Sequence, residues 1–314
     1  MHSDDNLTAK PSNAVLICAI GILAAFFMPW VQVFGFGQSG YNFIKQNNNN
    51  TLLWKISGNG LKKPSFLFGT FHLMCKDDIH FSTQLKEAVK ESDLVYMELD
   101  MDDPSTLLGG FLYMNMSNGK KLSDLYTPAE YKKLEHYFSD SLNTPIMLLQ
   151  RAKPYFLVAL LYPRMMNCSS ASGVEEELLK IVKEDKKEIK GLETIQFQAS
   201  VFDSIPYDKQ AKELLKNIDS FSVYKKEFDD ALMLYKNQQL DSMQNMVDNS
   251  EFGSKKYEDL LLNNRNKKWV KELKEIMKKQ TVFVAVGAGH LTGDYGLISL
   301  LKKEGYKVEP LVNK

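Results

Sequence analysis

The sequence contains few cysteines and no excess of either charge. Three cysteines among 314 residues are too few for a small scaffold held by disulfides, although Cys75 and Cys168 can pair in an oxidising compartment. Lysine and arginine number 39 and so do aspartate and glutamate, so no net charge attracts the chain to nucleic acid. With 44% hydrophobic and 25% charged residues, the composition is typical of a folded protein and excludes a chain disordered throughout.

Several short catalytic motifs are also absent. The sequence has no Gly-x-Ser-x-Gly, which speaks against a serine hydrolase, and no His-Glu-x-x-His, which speaks against a thermolysin-like enzyme. It has no phosphate-binding loop, so a nucleotide hydrolase loses support. We find no repeat with a period of about 20 to 50 residues, the signature of a solenoid or a propeller.

The longest uncharged run lies near the N terminus. Residues 14–31, AVLICAIGILAAFFMPWV, carry no charge, and a helix needs about 20 apolar residues to cross a bilayer. We interpret residues 1–36 as a signal peptide or a transmembrane signal anchor, and we favour the anchor because no small-x-small cleavage site is clear. A buried N-terminal core helix is the alternative. A signal peptide and a signal anchor both predict an extracytoplasmic protein, membrane-anchored or secreted, in the periplasm or at the cell surface.

The rest of the chain divides into a short linker and one folded domain. Residues 37–50 form an Asn-rich linker, and residues 51–314 form the domain. Strand-like runs at 51–56 and 65–68, with the turn signal Gly-Asn-Gly at 58–60 between them, predict a hairpin.

Further along the domain, hydrophobic periodicity alternates between helical and strand-like. In order, we predict a helix capped by Ser82, a strand at 94–97, a mainly helical region at 104–185, a strand at 187–193, helices within 207–279, a strand at 281–286, a helix at 296–304 and a strand near Val308. Strands alternating with helices at both ends predict an α/β (α+β) fold: a central mixed sheet with flanking helices and a helical insertion, preceded by the N-terminal apolar helix.

One short pattern occurs twice. Three apolar residues precede Gly-x-x-His-Leu at Gly69 to His72 and again at Gly287 to His290. We predict that each glycine takes a positive φ, so that the chain turns sharply and carries the histidine over the carboxyl edge of its strand. If a helix begins soon after each turn, its dipole favours the neutral imidazole, which is the form that binds a metal or acts as a base.

Two other predicted strands end in carboxylates, Glu98 and Glu193. Ligands of open α/β sheets bind beyond the carboxyl ends of the strands, so we expect both glutamates beside His72 and His290 on one rim. Two imidazoles and one or two carboxylates suit a divalent transition metal with open positions. Such a metal activates water, which predicts a hydrolase. Spacing does not decide whether Glu98 is a ligand or the general base.

Other candidate residues keep two interpretations each. Arg265 either orients a substrate carboxylate or a metal-bound acid by a bidentate contact, or is an exposed helix cap. Cys75, three residues after His72, is either a thiolate ligand or a small buried residue. The glutamates at 175–177 predict the charged first turn of a helix.

Together the motifs resemble those of the TraB/PrgY/GumN family, which includes the Tiki proteins. The resemblance covers roughly 52–311 and depends on five motifs in this order: GTFH at 69–72, YMELD at 96–100, GLET at 191–194, RN at 265–266 and GAGH at 287–290. It implies the fold shared with erythromycin esterase and the haem-associated ChaN proteins, a central sheet with helices on both sides and a helical insertion.

The resemblance also implies an activity. Tiki members are membrane-tethered, metal-dependent proteases that trim the amino-terminal part of secreted signalling proteins, with manganese or cobalt favoured, and zinc is the further option. The residues expected to carry catalysis are His72, Glu98, Glu193, Arg265 and His290. Of these, we expect His72, Glu98 and His290 to hold the metal. The expected partners are a peptide or protein substrate and a membrane, bound through the N-terminal segment, with no nucleic acid and the oligomeric state left open.

Two other functions remain open at this point. One is a protein that binds a peptide pheromone or a haem-like ligand at the same rim without turnover. The other is a metal-free esterase, with a histidine as base and Glu193 as its partner.

Overall fold

The computed structural model of the protein describes residues 50–248 and 257–314. The predicted N-terminal apolar helix within residues 1–36 lies outside the described residues, as does all but the last residue of the linker. Within the two described ranges, no helix combines the length and the hydropathy that a membrane crossing requires.

The centre of the fold is a mixed sheet of six strands, as predicted. The strands of the described residues are β1 (Leu53–Gly58), β2 (Ser65–Thr70), β3 (Met74–Cys75), β4 (Leu94–Met97), β5 (Ala171–Ser172), β6 (Glu188–Gly191), β7 (Val282–Gly287) and β8 (Tyr306–Pro310). The large sheet has the order β6-β4-β7-β2-β1-β8, and β3 pairs with β5 in a separate ladder. The strands β6, β4, β7 and β2 are parallel, whereas β1 and β8 run antiparallel to their neighbours. The four parallel strands therefore share one carboxyl edge.

Helices fill the connections between these strands. The α-helices of the described residues are α1 (Thr83–Glu91), α2 (Pro104–Tyr113), α3 (Pro128–His136), α4 (Pro154–Ala159), α5 (Tyr162–Met165), α6 (Val174–Glu184), α7 (Ile195–Asp203), α8 (Tyr207–Asp219), α9 (Phe221–Lys236), α10 (Leu240–Asp248), α11 (Asn264–Met277) and α12 (Leu297–Lys303). The predicted helical insertion is thus present between β4 and β7. It is interrupted there by the short strands β5 and β6.

Local sequence signals account for the β1–β2 hairpin and for the start of α1. The predicted hairpin forms, with Leu53 of β1 opposite Phe68 of β2 and the turn at Gly58, Asn59 and Gly60 in the left-handed region. The Ser82 side chain accepts a hydrogen bond from the backbone of Leu85, which caps α1 as expected.

The central strands are covered on both faces. All six residues of β2 and all six of β7 are buried, which is typical of parallel strands between two helical layers. Their apolar side chains fix the two strands in the core. Each carboxyl end then leads directly into one of the two glycine-histidine motifs.

A small second ladder sits beside the first of these motifs. Cys75 of β3 forms a disulfide with Cys168, and β3 pairs with β5, which leads into α6. The pairing that the sequence permits is therefore present. The interpretation of Cys75 as a thiolate metal ligand is wrong, because its sulfur is already bonded to another sulfur.

Candidate active site

Four predicted site residues lie together at the carboxyl edge of the sheet. His72 follows β2, His290 follows β7, Glu98 follows β4 and Glu193 follows β6. The rim that the sequence predicts is confirmed, because these parallel strands are consecutive in the sheet. None of the four residues is more than 8% exposed.

The glycines of the repeated motif allow the two motifs to approach each other closely. Neither Gly69 nor Gly287 has a positive φ, so the predicted backbone reason for glycine is wrong. A Cβ on Gly287 would lie 3.2 Å from Nε2 of His72 and 3.3 Å from Oε1 of Glu98. A Cβ on Gly69 would lie 3.1 Å from the Cα of Ala288, in the other motif. The two motifs pack against each other so closely that a side chain at either glycine would intrude.

The imidazole of His72 is held from outside the sheet. Its Nδ1 lies 2.5 Å from Oε1 of Glu175, in the first turn of α6. Burial is the largest single influence and lowers the pKa of His72, but the carboxylates of Glu175 and Glu98 together raise it by more, so that the net pKa lies above the usual value. The expected helix dipole is missing here, because the next α-helix begins only at Thr83. Because Nδ1 faces Glu175, Nε2 faces the rim.

His290 has a different environment. Its Nδ1 lies 2.6 Å from Oδ1 of Asn266, and the Asn266 amide nitrogen donates to the carbonyl of Tyr295 at 2.9 Å. The hydrogen-bond network therefore assigns the proton to Nδ1. Burial, together with the positive charge of Arg265, lowers the pKa of His290 to about 3 despite the opposing charge of Glu98. The Nε2 atom faces Oε1 of Glu98 at 3.7 Å.

Arg265 is buried between the two carboxylates. Its Nε and Nη2 donate to Oε2 and Oε1 of Glu193 at 3.1 and 2.5 Å, and Nη2 also donates to Oε2 of Glu98 at 2.6 Å. Its Nη1 lies 3.2 Å from Nε2 of His290. At 2% exposure it is not a solvated helix cap, so that interpretation is wrong. The bidentate contact exists, and its acceptor is Glu193 of the same chain.

The backbone before Arg265 contributes to its placement. Residues Asp259–Asn263 form a π-helical turn, a feature often found at functional sites. The carbonyl of Leu261 in this turn accepts a hydrogen bond from Nη1 of Arg265 at 2.9 Å. The guanidinium is therefore held by carboxylates on one side and by the backbone of the preceding π-helical turn on the other.

Burial and charge move the pKa values of the two glutamates in opposite directions. For Glu98, burial raises the pKa, but Arg265, the two histidines and the backbone N–H of Gly287 lower it to about 2. For Glu193, burial outweighs the attraction of Arg265 and raises the pKa. Such a separation is typical of carboxylates with different tasks. Glu98 is the anion of the pair, and Glu193 is the group closer to holding a proton.

Three residues that contact the rim residues carry no strong signal in the sequence. Gln198 of α7 donates from Nε2 to Oε2 of Glu98 at 3.2 Å and to Oε1 of Glu193 at 3.1 Å. Glu175 is predicted only as part of a charged helical turn, yet it is buried. Asn266 is part of the RN motif, which was the one available signal. Patterns along the chain do not reveal which of several polar residues turns inward.

The donor atoms suit a divalent transition metal in their chemistry. Two imidazoles present Nε2 while an oxygen acceptor faces each Nδ1, the second-sphere arrangement usual for metal-binding histidines. Glu98 turns Oε2 to Arg265 and Oε1 toward the histidines. Among the described residues, no group of three or more His, Cys, Asp or Glu side chains has the arrangement of a formed metal site. The residues fit such an ion by donor type, and an ion bound at Nε2 of His290 would replace Nη1 of Arg265, which lies 3.2 Å from that atom.

Comparisons with known proteins find one family profile and partial relatives. The profile of the TraB/PrgY/gumN family matches residues 52–310. Metalloprotease TIKI1 of Danio rerio is 34% identical over 91 residues, which are 29% of this chain and 18% of that protein. Metalloprotease TIKI1 of Xenopus tropicalis is 30% identical over 94 residues, 30% of this chain and 18% of that protein. The matched part thus covers less than a fifth of each relative's length. No solved structure matches the chain.

Proposed function

The chain belongs to the TraB/PrgY/gumN family, and from that membership we propose that it is a metal-dependent hydrolase that cleaves peptide bonds. The relatives named as metalloproteases support this activity only for the part of their length that they share with the chain. The observation that carries the proposal is the meeting of His72, His290 and Glu98 at the carboxyl edge of three neighbouring parallel strands.

We assign the metal to Nε2 of His72, Nε2 of His290 and Oε1 of Glu98. A bound divalent ion would lower the pKa of a water molecule and polarise the substrate carbonyl. Manganese or cobalt follows from the family resemblance, and zinc also suits the donor set. Arg265 keeps Oε2 of Glu98 engaged, so that Oε1 remains directed at the histidines.

Glu193 is the proposed proton carrier. Its Oε1 accepts from both Arg265 and Gln198, whereas Oε2 accepts only from Nε of Arg265 among the contacts of the described residues. A proton can therefore be taken up at Oε2. The raised pKa of Glu193 brings this group nearer to the pH at which a general base works well.

The proposed location is outside the cytoplasm, with the chain either membrane-anchored or secreted. Two observations support it: the uncharged run at residues 14–31 and the disulfide between Cys75 and Cys168, since disulfides persist in oxidising compartments. A peptide or protein is the proposed substrate, and a membrane is the proposed partner of the N-terminal segment.

The test measures metal content and peptide cleavage of the full chain with manganese, cobalt or zinc supplied. We expect the wild type to retain a divalent ion and to cleave members of a peptide library, as read by mass spectrometry. The variants His72→Ala and His290→Ala should lose both properties. His136→Ala, in the exposed last turn of α3, removes an imidazole away from the rim and should lose neither.

The same measurements, repeated after exhaustive chelation, separate the alternatives. A folded wild type that binds no divalent ion and cleaves nothing contradicts the proposal and favours a ligand-binding protein. Hydrolysis that survives exhaustive chelation contradicts the metal requirement and favours a metal-free esterase.

A further inference from the structure

Glu175 is a buried carboxylate that the proposed reaction does not use directly. It lies in the first turn of α6 and is 6% exposed, whereas its neighbour Glu176 is exposed. Burying a carboxylate is costly unless charge or hydrogen bonds compensate. Packing alone gives no reason for a carboxylate here, since an apolar side chain would fill the position without that cost.

The partners of Glu175 belong to the first glycine-histidine motif. Its Oε1 lies 2.5 Å from Nδ1 of His72 and also accepts a hydrogen bond from the hydroxyl of Thr70. Two residues of one motif thus converge on one oxygen. The start of α6 adds its positive dipole end, which stabilises an anion in the first turn.

The backbone holds α6 against this motif. The N–H of Val174 donates to the carbonyl of Phe71 at 3.0 Å. A Cβ on Gly173 would lie 2.8 Å from the carbonyl oxygen of His72, so only glycine allows this approach. Three successive residues, the cap Gly173 and the first two residues of α6, Val174 and Glu175, therefore contact the first glycine-histidine motif.

The contact selects one nitrogen of His72. A carboxylate facing Nδ1 keeps the proton on that atom when the imidazole is neutral, and leaves the lone pair on Nε2. Nε2 is the atom that faces Gly287 at the rim, where a Cβ would lie 3.2 Å from it and 3.3 Å from Oε1 of Glu98. Asn266 has the same relation to Nδ1 of His290.

We propose that Glu175 is a positioning residue that fixes the tautomer and orientation of His72, so that Nε2 faces the rim. Thr70 supports it by holding the shared carboxylate oxygen. This inference rests on the proposed function, because it gives His72 the form that binds a metal. Its direct consequence, the tautomer of His72, can be read without any metal present.

The test compares wild type, Glu175→Met and the matched control Glu176→Met, which removes a carboxylate from the same helical turn. Histidine side chains of the metal-free full chain are observed by nitrogen-15 NMR at a pH where His72 is neutral. We expect the Nδ1–H form in wild type and in Glu176→Met. In Glu175→Met the carboxylate acceptor that faces Nδ1 is lost, and the Nε2–H form should appear.

Cobalt binding gives the second readout. Loss of such a second-sphere partner typically weakens metal affinity about 10- to 100-fold, and we expect this for Glu175→Met and not for Glu176→Met. Thr70→Val, which keeps the shape and removes the hydroxyl, should lower cobalt affinity by a smaller factor and provides the test if Glu175→Met does not fold.

Two results would overturn the inference: an unchanged His72 tautomer in Glu175→Met, or, should that variant not fold, cobalt affinity of Thr70→Val equal to that of wild type. Failure of the proposed function has a different signature. A wild type that binds none of manganese, cobalt and zinc contradicts the metal hydrolase, while the tautomer comparison still decides the role of Glu175.

Discussion

At the scale of single residues, Arg265 determines how the two rim glutamates behave. Its guanidinium contacts both carboxylates and the imidazole of His290 in a site closed to solvent. Burial lowers the pKa of an arginine, but Glu193 and Glu98 raise that of Arg265 well above its usual value, so the guanidinium stays charged. The rim therefore contains a permanent cation that pairs with both carboxylates.

Replacing Arg265 with methionine should destabilise the protein strongly. The variant leaves Glu98 and Glu193 buried beside each other without a cation, and removing one partner of a buried ion pair typically costs about 3 to 5 kcal/mol. Urea unfolding measures the free energy of unfolding. Lys267→Met, on an exposed position of α11, makes the same chemical change and should cost less than about 1 kcal/mol. Equal losses in the two variants would contradict the account.

At the scale of elements, a short strand ladder and a disulfide hold two distant segments together at the rim. The β3–β5 ladder and the disulfide join the segment after His72 to the segment before α6. The residues Cys75 and Cys168 are 93 positions apart, so the covalent link closes a long loop. The elements that place His72 and Glu175 are therefore tied together covalently.

Removing the disulfide by Cys75→Ser with Cys168→Ser should lower the free energy of unfolding. Loss of a native disulfide typically costs about 2 to 5 kcal/mol, because the unfolded chain regains the entropy of the open loop. Urea unfolding of the double variant beside the oxidised wild type measures the loss. Wild type reduced with dithiothreitol should match the double variant, and a reduced protein as stable as the oxidised one would contradict the prediction.

The starts of β4 and β7 are joined by a hydrogen-bonded carboxylate. Asp93 accepts from the hydroxyl of Thr281 at 2.7 Å and from its backbone N–H at 2.8 Å, and these bonds lower the pKa of Asp93. A carboxylate with a lowered folded-state pKa stabilises the fold above its unfolded pKa of about 3.9 and loses that contribution as the pH falls further.

Asp93→Asn should therefore cost stability near neutral pH and much less in acid. The difference should stay below about 1 kcal/mol, because Asp93 is exposed and solvent screens its charge. Unfolding free energies of both proteins between pH 7 and pH 2.5 test the sign. Thr281→Val, which removes one donor, should show the same trend in weaker form, whereas a difference that grows in acid would contradict it.

At the scale of the whole molecule, one sheet organises both the core and the rim. Four parallel strands deliver four site residues to one edge, and β1 and β8 close the other side. The beginning of the domain is fixed there: the Thr51 hydroxyl donates to the carbonyl of Leu311 at 2.7 Å, and Leu53 is fully buried. We propose residues 51–314 as the folded unit, in agreement with the family match at 52–310.

This boundary predicts two different outcomes for truncation. A chain that starts at Thr51 keeps every residue of β1 and should unfold cooperatively with a midpoint close to that of the full chain. A chain that starts at Ser57 loses most of β1, including Leu53 and Trp54, and should fail to fold cooperatively because β2 and β8 lose their shared neighbour. Thermal unfolding followed by circular dichroism tests both, and equal midpoints would contradict the boundary.

Much of the fold and part of the site follow from local patterns. Apolar runs locate the strands because burial requires them, and Ser82 marks a helix start because its side chain satisfies a free backbone N–H. The environment of Arg265, by contrast, does not follow from its neighbours. A polar run can end a helix at the surface or line a buried turn, and the deciding contacts come from Glu98 and Glu193, 167 and 72 positions away.

The sequence by itself determined the six strands of the large sheet, most of the helices and the four residues at the strand ends, because hydrophobic period and turn residues act locally and parallel strands share an edge. Only the tertiary structure decided how these residues are used. It turned Glu175 inward to His72, placed Gln198 between the glutamates and made Gly287 a point of close approach rather than a left-handed turn. The physical reason is that charge pairing and steric fit depend on distances in space, which spacing along the chain does not encode.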